Sequence, residues 1–215
     1  MDILVATVAA FVVAAILGRF TIPLLHRLKF GQSIREEGPS WHRKKSGTPT
    51  MGGIIFIIAV TIAVFLTSVT TQSLAVLCTA LGFGLIGFAD DYIKIAKKRN
   101  LGLTAKQKMA AQILVAAAFA LFMMQAGKNA LLHIPFTDID IDLGYWFIPV
   151  SMFVTVGMVN SVNLTDGLDG LASFISTVVS IFFAVAAKKY GFSSIAVVCS
   201  ALAGGLVGFL IYNIY

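Results

Sequence analysis

The chain has 215 residues, 58% of them hydrophobic and 12% charged, with a net charge of +6 and a mean hydropathy of +0.91. Soluble domains carry about 25% charged residues, so the deficit excludes disorder, a basic nucleic-acid-binding domain and an ordinary water-soluble fold. At about 20 apolar residues per bilayer-spanning helix, the length accommodates roughly seven spans with short loops.

The apolar runs predict an all-α polytopic protein with one membrane domain over 1–215. Spans fall near 3–25, 51–69, 73–91, 105–126, 145–163, 171–187 and 192–212. Between them, 26–50 holds Arg27, Lys29, Arg35, Arg43, Lys44 and Lys45, and 92–108 holds Lys94, Lys97, Lys98, Arg99, Lys106 and Lys108. The segment 127–144 has only Lys128, and 188–191 has Lys188 and Lys189. Basic residues stay cytoplasmic, so loops near 26–50, 92–104 and 164–170 are expected in the cytosol and the N-terminus outside. Tyr145 and Trp146 open the fifth span, where interfacial rings are expected. The Met-Asp start has no basic flank, which argues against a cleaved signal peptide. Cys78 and Cys199 lie inside apolar runs and are read as packed thiols, not a disulfide.

Several polar groups stand where a bilayer penalises them. The third span ends Phe88-Ala-Asp90-Asp91-Tyr92-Ile93-Lys94, with Asp90 and Lys94 four apart and Asp91 and Lys94 three apart. That spacing suits an interfacial ion pair closing a helix, and equally a catalytic pair of carboxylates. Asn160, Asn163, Asp166 and Asp169 recur every third residue. If helical, they put a row of oxygens along the cytosolic end of the fifth span, though Asn and Asp also cap and end helices. The first cytosolic loop ends Lys44-Lys45-Ser46-Gly47-Thr48-Pro49-Thr50-Met51-Gly52-Gly53. Such a run can present N–H and hydroxyl donors to phosphate, or serve simply as a linker. It lacks the ending of a P-loop. All three clusters fall on the same expected face. Hard oxygen ligands for Mg²⁺ beside lysines suit phosphoryl transfer from a diphosphate, and the membrane makes one substrate a lipid.

Other signals carry less. His26, His42 and His133 are isolated and read as solvated loop residues. Asp138 to Asp142 resembles the start of a calcium loop, but Leu143 and Pro149 stand where Gly and Glu are needed. The alternation suggests instead a short external β-hairpin near 134–144. Arg19, inside the first span, is expected to snorkel or to pair with a carboxylate in the bundle.

Four stretches resemble the polyprenyl-phosphate N-acetylhexosamine-1-phosphate transferases: Lys45 to Ile54, Gly87 to Lys94, Asn100 to Lys108 and Asn163 to Ala172. The Gly-Thr-Pro-Thr-Met-Gly-Gly run resembles the muramoyl-pentapeptide branch more than the N-acetylglucosamine branch. The resemblance implies attack by undecaprenyl phosphate on the β-phosphate of UDP-N-acetylmuramoyl-pentapeptide, giving lipid I and UMP with Mg²⁺ as cofactor. Asp90, Asp91 and Asp166 match the family's catalytic carboxylates, Asp90 in the position proposed as base toward the lipid phosphate. Lys45, Thr50, Lys94, Lys106, Asn163 and Asp169 match substrate-binding positions, and Asn163 also a metal ligand. A bacterial cytoplasmic membrane location, a cytosolic active site and a homodimer follow from the same likeness. Family members carry about ten spans over more than 300 residues. These 215 residues therefore resemble the first part of such an enzyme and are expected to be incomplete for activity alone. A further Mg²⁺-binding aspartate and a histidine cluster are expected beyond Tyr215. Two functions of other classes stay open on the residues alone: a cation-coupled transporter, for which no internal repeat is found, and a non-catalytic scaffold.

Overall fold

The structure, a computed structural model, describes residues 1–27, 51–97, 101–126, 130–134 and 136–214. Seven α-helices account for most of them: α1 Asp2–Arg27, α2 Gly53–Thr67, α3 Thr71–Ala96, α4 Ala105–Gln125, α5 Phe147–Thr165, α6 Leu171–Lys189 and α7 Ser193–Asn213. The basic loop with Lys45 and Thr50, and Asn100 at the head of the third stretch, lie outside the described residues.

Helices α1 and α7 make the closest contact. Ala6, Ala10, Ala14 and Gly18 recur every fourth residue of α1 and are buried. That face meets Ala201, Gly204 and Gly208 of α7, while Gly205 turns toward Phe56 and Val60 of α2. A Cβ on Gly204 would overlap the Thr7 carbonyl, and one on Gly208 would stand 2.6 Å from the Phe11 carbonyl oxygen and 2.8 Å from the Ala14 Cβ. Thr7 faces Gly204, Phe11 faces Gly208, and the Tyr212 hydroxyl donates to the Ala15 carbonyl at 2.6 Å, so the two helices run parallel. Small residues that let backbones touch are how membrane helices gain packing energy, since hydrocarbon surrounds them on every side. Helix α7 also packs on α2 and α6 and is the most buried helix.

The second expected span, 51–69, contains a helix of only 15 residues, about 22 Å long at 1.5 Å per residue, against a hydrocarbon core of about 30 Å. Among the described residues six helices are long and apolar enough to cross a membrane, and α2 is not one of them. Its end is set by Ser73, which is fully buried. The Ser73 hydroxyl donates to the Ser68 carbonyl at 2.9 Å and accepts from the Thr70 N–H at 2.8 Å. Thr70 in turn caps α3, its hydroxyl accepting from the Ser73 N–H at 3.1 Å. This reciprocal box satisfies the donors of the new helix and stops the old one.

Helices α3, α4 and α5 pack in sequence, α4 between the other two, with α3 reaching α7 and α2 and α5 reaching α6. Thr104 and Gln107 form a second capping box at the start of α4. Before α5, β1 Leu131–His133 pairs antiparallel with β2 Asp140–Asp142, and a 3₁₀ turn spans Gly144–Trp146. The hairpin begins three residues earlier than the sequence suggests. Strand β1 precedes the expected segment and only β2 lies within it, and His133, read as a solvated loop residue, pairs across the ladder with Asp140 at 2.8 Å. Helix α5 has no buried residue.

The α1–α7 contact sets a test. Gly204→Leu should destabilise the protein by at least the ~1–3 kcal/mol typical of overpacking, because the new side chain meets backbone that cannot yield. Gly157→Ala in α5, where nothing lies within 4 Å of an added Cβ, should leave the thermal unfolding midpoint in detergent unchanged or slightly higher.

Candidate active site

The last two turns of α3 carry Asp90, Asp91 and Lys94. The Lys94 ammonium stands 2.7 Å from Asp90 Oδ2 and 3.0 Å from Asp91 Oδ1. The other oxygen of Asp90, Oδ1, accepts the Leu103 N–H at 2.8 Å. This closure of residues 101–104 onto α3 depends on Gly102, where a Cβ would come within 2.7 Å of Asp90 Cγ. Both Asp90 oxygens are therefore engaged, and its side chain is only 14% exposed.

Across from this pair, α4 and α5 are joined by two polar rungs. Lys108 Nζ donates to Asn163 Oδ1 at a long 3.4 Å. One turn further along α4, Gln112 is 1% exposed, and its Oε1 accepts from Asn160 Nδ2 at 2.8 Å. The same Asn160 amide reaches the Val156 carbonyl at 2.8 Å. Lys108 is close enough to Asp90 for the two charges to interact, which brings α3 and α4 to one locus.

The row of oxygens on α5 is helical only in its first half. The helix ends at Thr165, and Asp166 to Gly170 form a turn that closes with Gly170 at φ +74°, where α6 begins. Glycine takes that left-handed conformation without penalty, so Gly170 closes the turn that ends the three-residue periodicity. Asn160 and Asn163 stay on the helix while Asp166 and Asp169 are carried by the turn. The Asp166 carboxyl is pushed above its ordinary value by burial first, then by the neighbouring charges of Asp169 and Asp91. Carboxylates from α3 and from the α5–α6 turn thus share one region.

The sequence-predicted residues Asp90, Asp91, Lys94, Asn163, Asp166 and Asp169 come together at one end of the bundle. Lys106 does not join them: it is exposed and makes no ion pair among the described residues. Lys108 takes the inward position, because residues two apart on a helix point to different sides and 108 shares a face with Gln112. Gln112 and Gly102 were not singled out from the sequence. An amide within an apolar run was the signal for Gln112; Gly102 had none.

Among the described residues no three His, Cys, Asp or Glu side chains stand close enough to enclose a metal. The oxygen donors present suit an open site, in which a hard cation takes one or two protein groups and completes its shell with water or phosphate.

This assembly of apolar helices with acids, amides and lysines at one end is a multi-pass membrane protein, and residues 73–215 match the description of glycosyl transferase family 4. The chain belongs to that family. Residues 45–57 match signature 1 of the phospho-N-acetylmuramoyl-pentapeptide-transferases. The chain is 49% identical over 98% of its length to the phospho-N-acetylmuramoyl-pentapeptide-transferase of Caldanaerobacter subterraneus, covering 67% of that protein. It is 46% identical over 99% of its length to the enzyme of that name from Clostridium perfringens, and 42% over 97% to that of Geobacillus sp., covering 66% of each. It thus spans about two thirds of the length of these relatives.

Asp166 yields a prediction of sign. Because its pKa is raised in the fold, the cost of ionising it is absent below the ordinary value and fully present above the raised one, so stability falls as pH rises between them. Asp166→Asn should therefore raise the unfolding temperature at about pH 8, with a gain that shrinks toward about pH 4. A gain of equal size at both pH values would contradict this account.

Proposed function

We propose that this chain builds a site at the cytosolic face of the bacterial cytoplasmic membrane, with its N-terminus outside. There phospho-N-acetylmuramoyl-pentapeptide passes from its UDP-linked donor to undecaprenyl phosphate. An oxygen of the lipid phosphate attacks the β-phosphorus of the donor, the bond to the α-phosphate oxygen breaks, and UMP leaves, giving lipid I. The convergence of Lys94 and Lys108 with Asp91, Asn163 and Asp166 carries the reading, because two ammonium groups beside oxygen donors suit two phosphorylated substrates. The match of residues 45–57 to the muramoyl-pentapeptide signature supports that donor over a UDP-N-acetylglucosamine.

The roles follow from what each group already holds. Lys94, balanced between two carboxylates, meets incoming phosphate without leaving a bare charge in the apolar end of α3. Asp90 has both oxygens engaged, so it orients Lys94 and the 101–104 segment and does not act as a free base. A phosphate monoester near neutral pH has little proton left to remove, so the nucleophile needs positioning more than deprotonation. Asp91 flanks the incoming phosphate. Asn163 and Asp166 offer oxygens to Mg²⁺, which when bound supplies charge neutralisation of the diphosphate. Asp169, Lys45 and Thr50 serve the nucleoside end, and Lys106 attracts phosphates from the cytosolic side.

The test is UMP release by the protein in membranes, given UDP-N-acetylmuramoyl-pentapeptide. Release should require both Mg²⁺ and undecaprenyl phosphate. Lys108→Ala and Asp166→Asn should each lower kcat roughly 100-fold, the scale of losing one transition-state electrostatic group. Asp90→Asn should slow the reaction without changing the shape of its pH profile; loss of one limb of the profile would restore Asp90 as a base. Full rate in Asp166→Asn, or release without the lipid phosphate, would sink the assignment.

A further inference from the structure

Helix α4 buries a four-residue repeat, Gln112, Ala116 and Ala120, each at most 1% exposed. Small residues suit close contact between helices in hydrocarbon, whereas an amide there costs free energy unless it is hydrogen-bonded. Gln112 Oε1 accepts from Asn160 Nδ2 at 2.8 Å, and the same nitrogen donates to the Val156 carbonyl at 2.8 Å. Asn160 belongs to the three-residue series with Asn163, Asp166 and Asp169, yet its amide is taken up by these two acceptors. Apolar side chains at both 112 and 160 would leave no side-chain donor or acceptor bare at these positions, so folding alone does not call for the pair.

The pair has a geometric consequence instead. Lys108 stands one turn before Gln112 on α4, and Asn163 one turn beyond Asn160 on α5, so the Lys108–Asn163 contact lies next to the Gln112–Asn160 rung on antiparallel helices. That outer contact is 3.4 Å long, and the lysine hangs on a flexible four-carbon stem. It follows the height of α5 and does not set it. The inner rung is short, buried and made by two planar amides, so it does set it. We propose that Gln112 is a positioning residue of the transferase site. Through Asn160 it fixes where Asn163 stands relative to Lys108, and so how the group assigned to Mg²⁺ lines up with the group assigned to phosphate. Gln112 acts through α5 and not on the substrates, as the outer-shell partner of a ligating group does. The inference rests on the transferase reading of the site.

The experiment measures UMP release in membranes and thermal unfolding in detergent for Gln112→Met, which keeps the length of the side chain and removes its hydrogen bond. The unfolding midpoint should stay the same or rise slightly. In contrast, kcat should fall about tenfold, the lower end of what losing an outer-shell partner costs, with KM for the UDP-linked donor little changed and half-saturation by Mg²⁺ moved to higher concentration. Asn160→Leu breaks the rung from the other side and should give the same loss, and the two substitutions together should cost no more than either alone. In an Asn163→Ala background, Gln112→Met should lower kcat by less than about twofold, because nothing is left for it to position. Full kcat in Gln112→Met and Asn160→Leu would overturn the proposal. An equal loss with and without Asn163 would overturn it in favour of a support of the fold, as would a loss of kcat that tracks a fall in the unfolding midpoint across all three variants. The unaltered protein separates this inference from the reading beneath it: no lipid-dependent release there overturns both, whereas full rate in the variants beside an active unaltered protein overturns the positioning role alone.

Discussion

Two helix backbones in direct contact set the frame on which the site is built. Because Gly204 and Gly208 carry no side chain, α7 lies against the carbonyls of Thr7 and Phe11, and α2 and α6 pack around the pair. The consequence reaches the far end of α7. Gly170, the left-handed residue that starts α6, sits within 3.4 Å of Leu210 and Ile214 if given a Cβ, and the Asn213 amide donates to Ser173 at 3.2 Å. The turn that carries Asp166 and Asp169 is thereby seated on the end of the central helix. A shift of α7 by one residue would move that turn by about 1.5 Å, a large displacement for two carboxylates, one of which feels the charge of Asp91 on α3.

Charge is scarce in this chain, and its placement follows from the low dielectric. Lys94 is held between two carboxylates, Asp90 satisfies both a lysine and a backbone N–H, and Lys108 leans on an amide. Asp166 is the exception: burial and neighbouring acids disfavour its charge. Such a group gains most from an arriving cation, so its cost without one is compatible with a site whose ligands assemble only when substrate and metal are present.

Much of the architecture was legible because it is local. Apolar runs mark helices, and the four-residue spacing of Asp90 and Lys94 marks a pair on one face. What was hidden depends on partners distant in sequence. Gln112 meets Asn160 48 residues away, and Leu103 reaches Asp90 across 13. The choice between Lys106 and Lys108 required the phase of α4, which a capping box at Thr104 fixes. The short α2 could not be read from its composition, because Ser68 and Ser73 end it by hydrogen bonds and not by a break in hydrophobicity.

The attachment of α5 shows why a weak polar link can matter more here than its energy suggests. No residue of α5 is fully buried; a half-buried stripe that includes Met152, Val156 and Val159 turns it toward the bundle, but apolar contact of that kind leaves its height against α4 loosely set. Interhelical hydrogen bonds in membranes contribute only about 0.6 kcal/mol on average. A bond between two amides is directional, however, whereas apolar contact in hydrocarbon tolerates sliding and rolling. The Gln112–Asn160 rung, at 2.8 Å and away from water, fixes the register of α5 one turn below Asn163. Sliding α5 by one residue would break that rung and carry Asn163 away from Lys108. The amide pair thus keeps Asn163 in step with Lys108, through specificity of geometry and not through bulk stability.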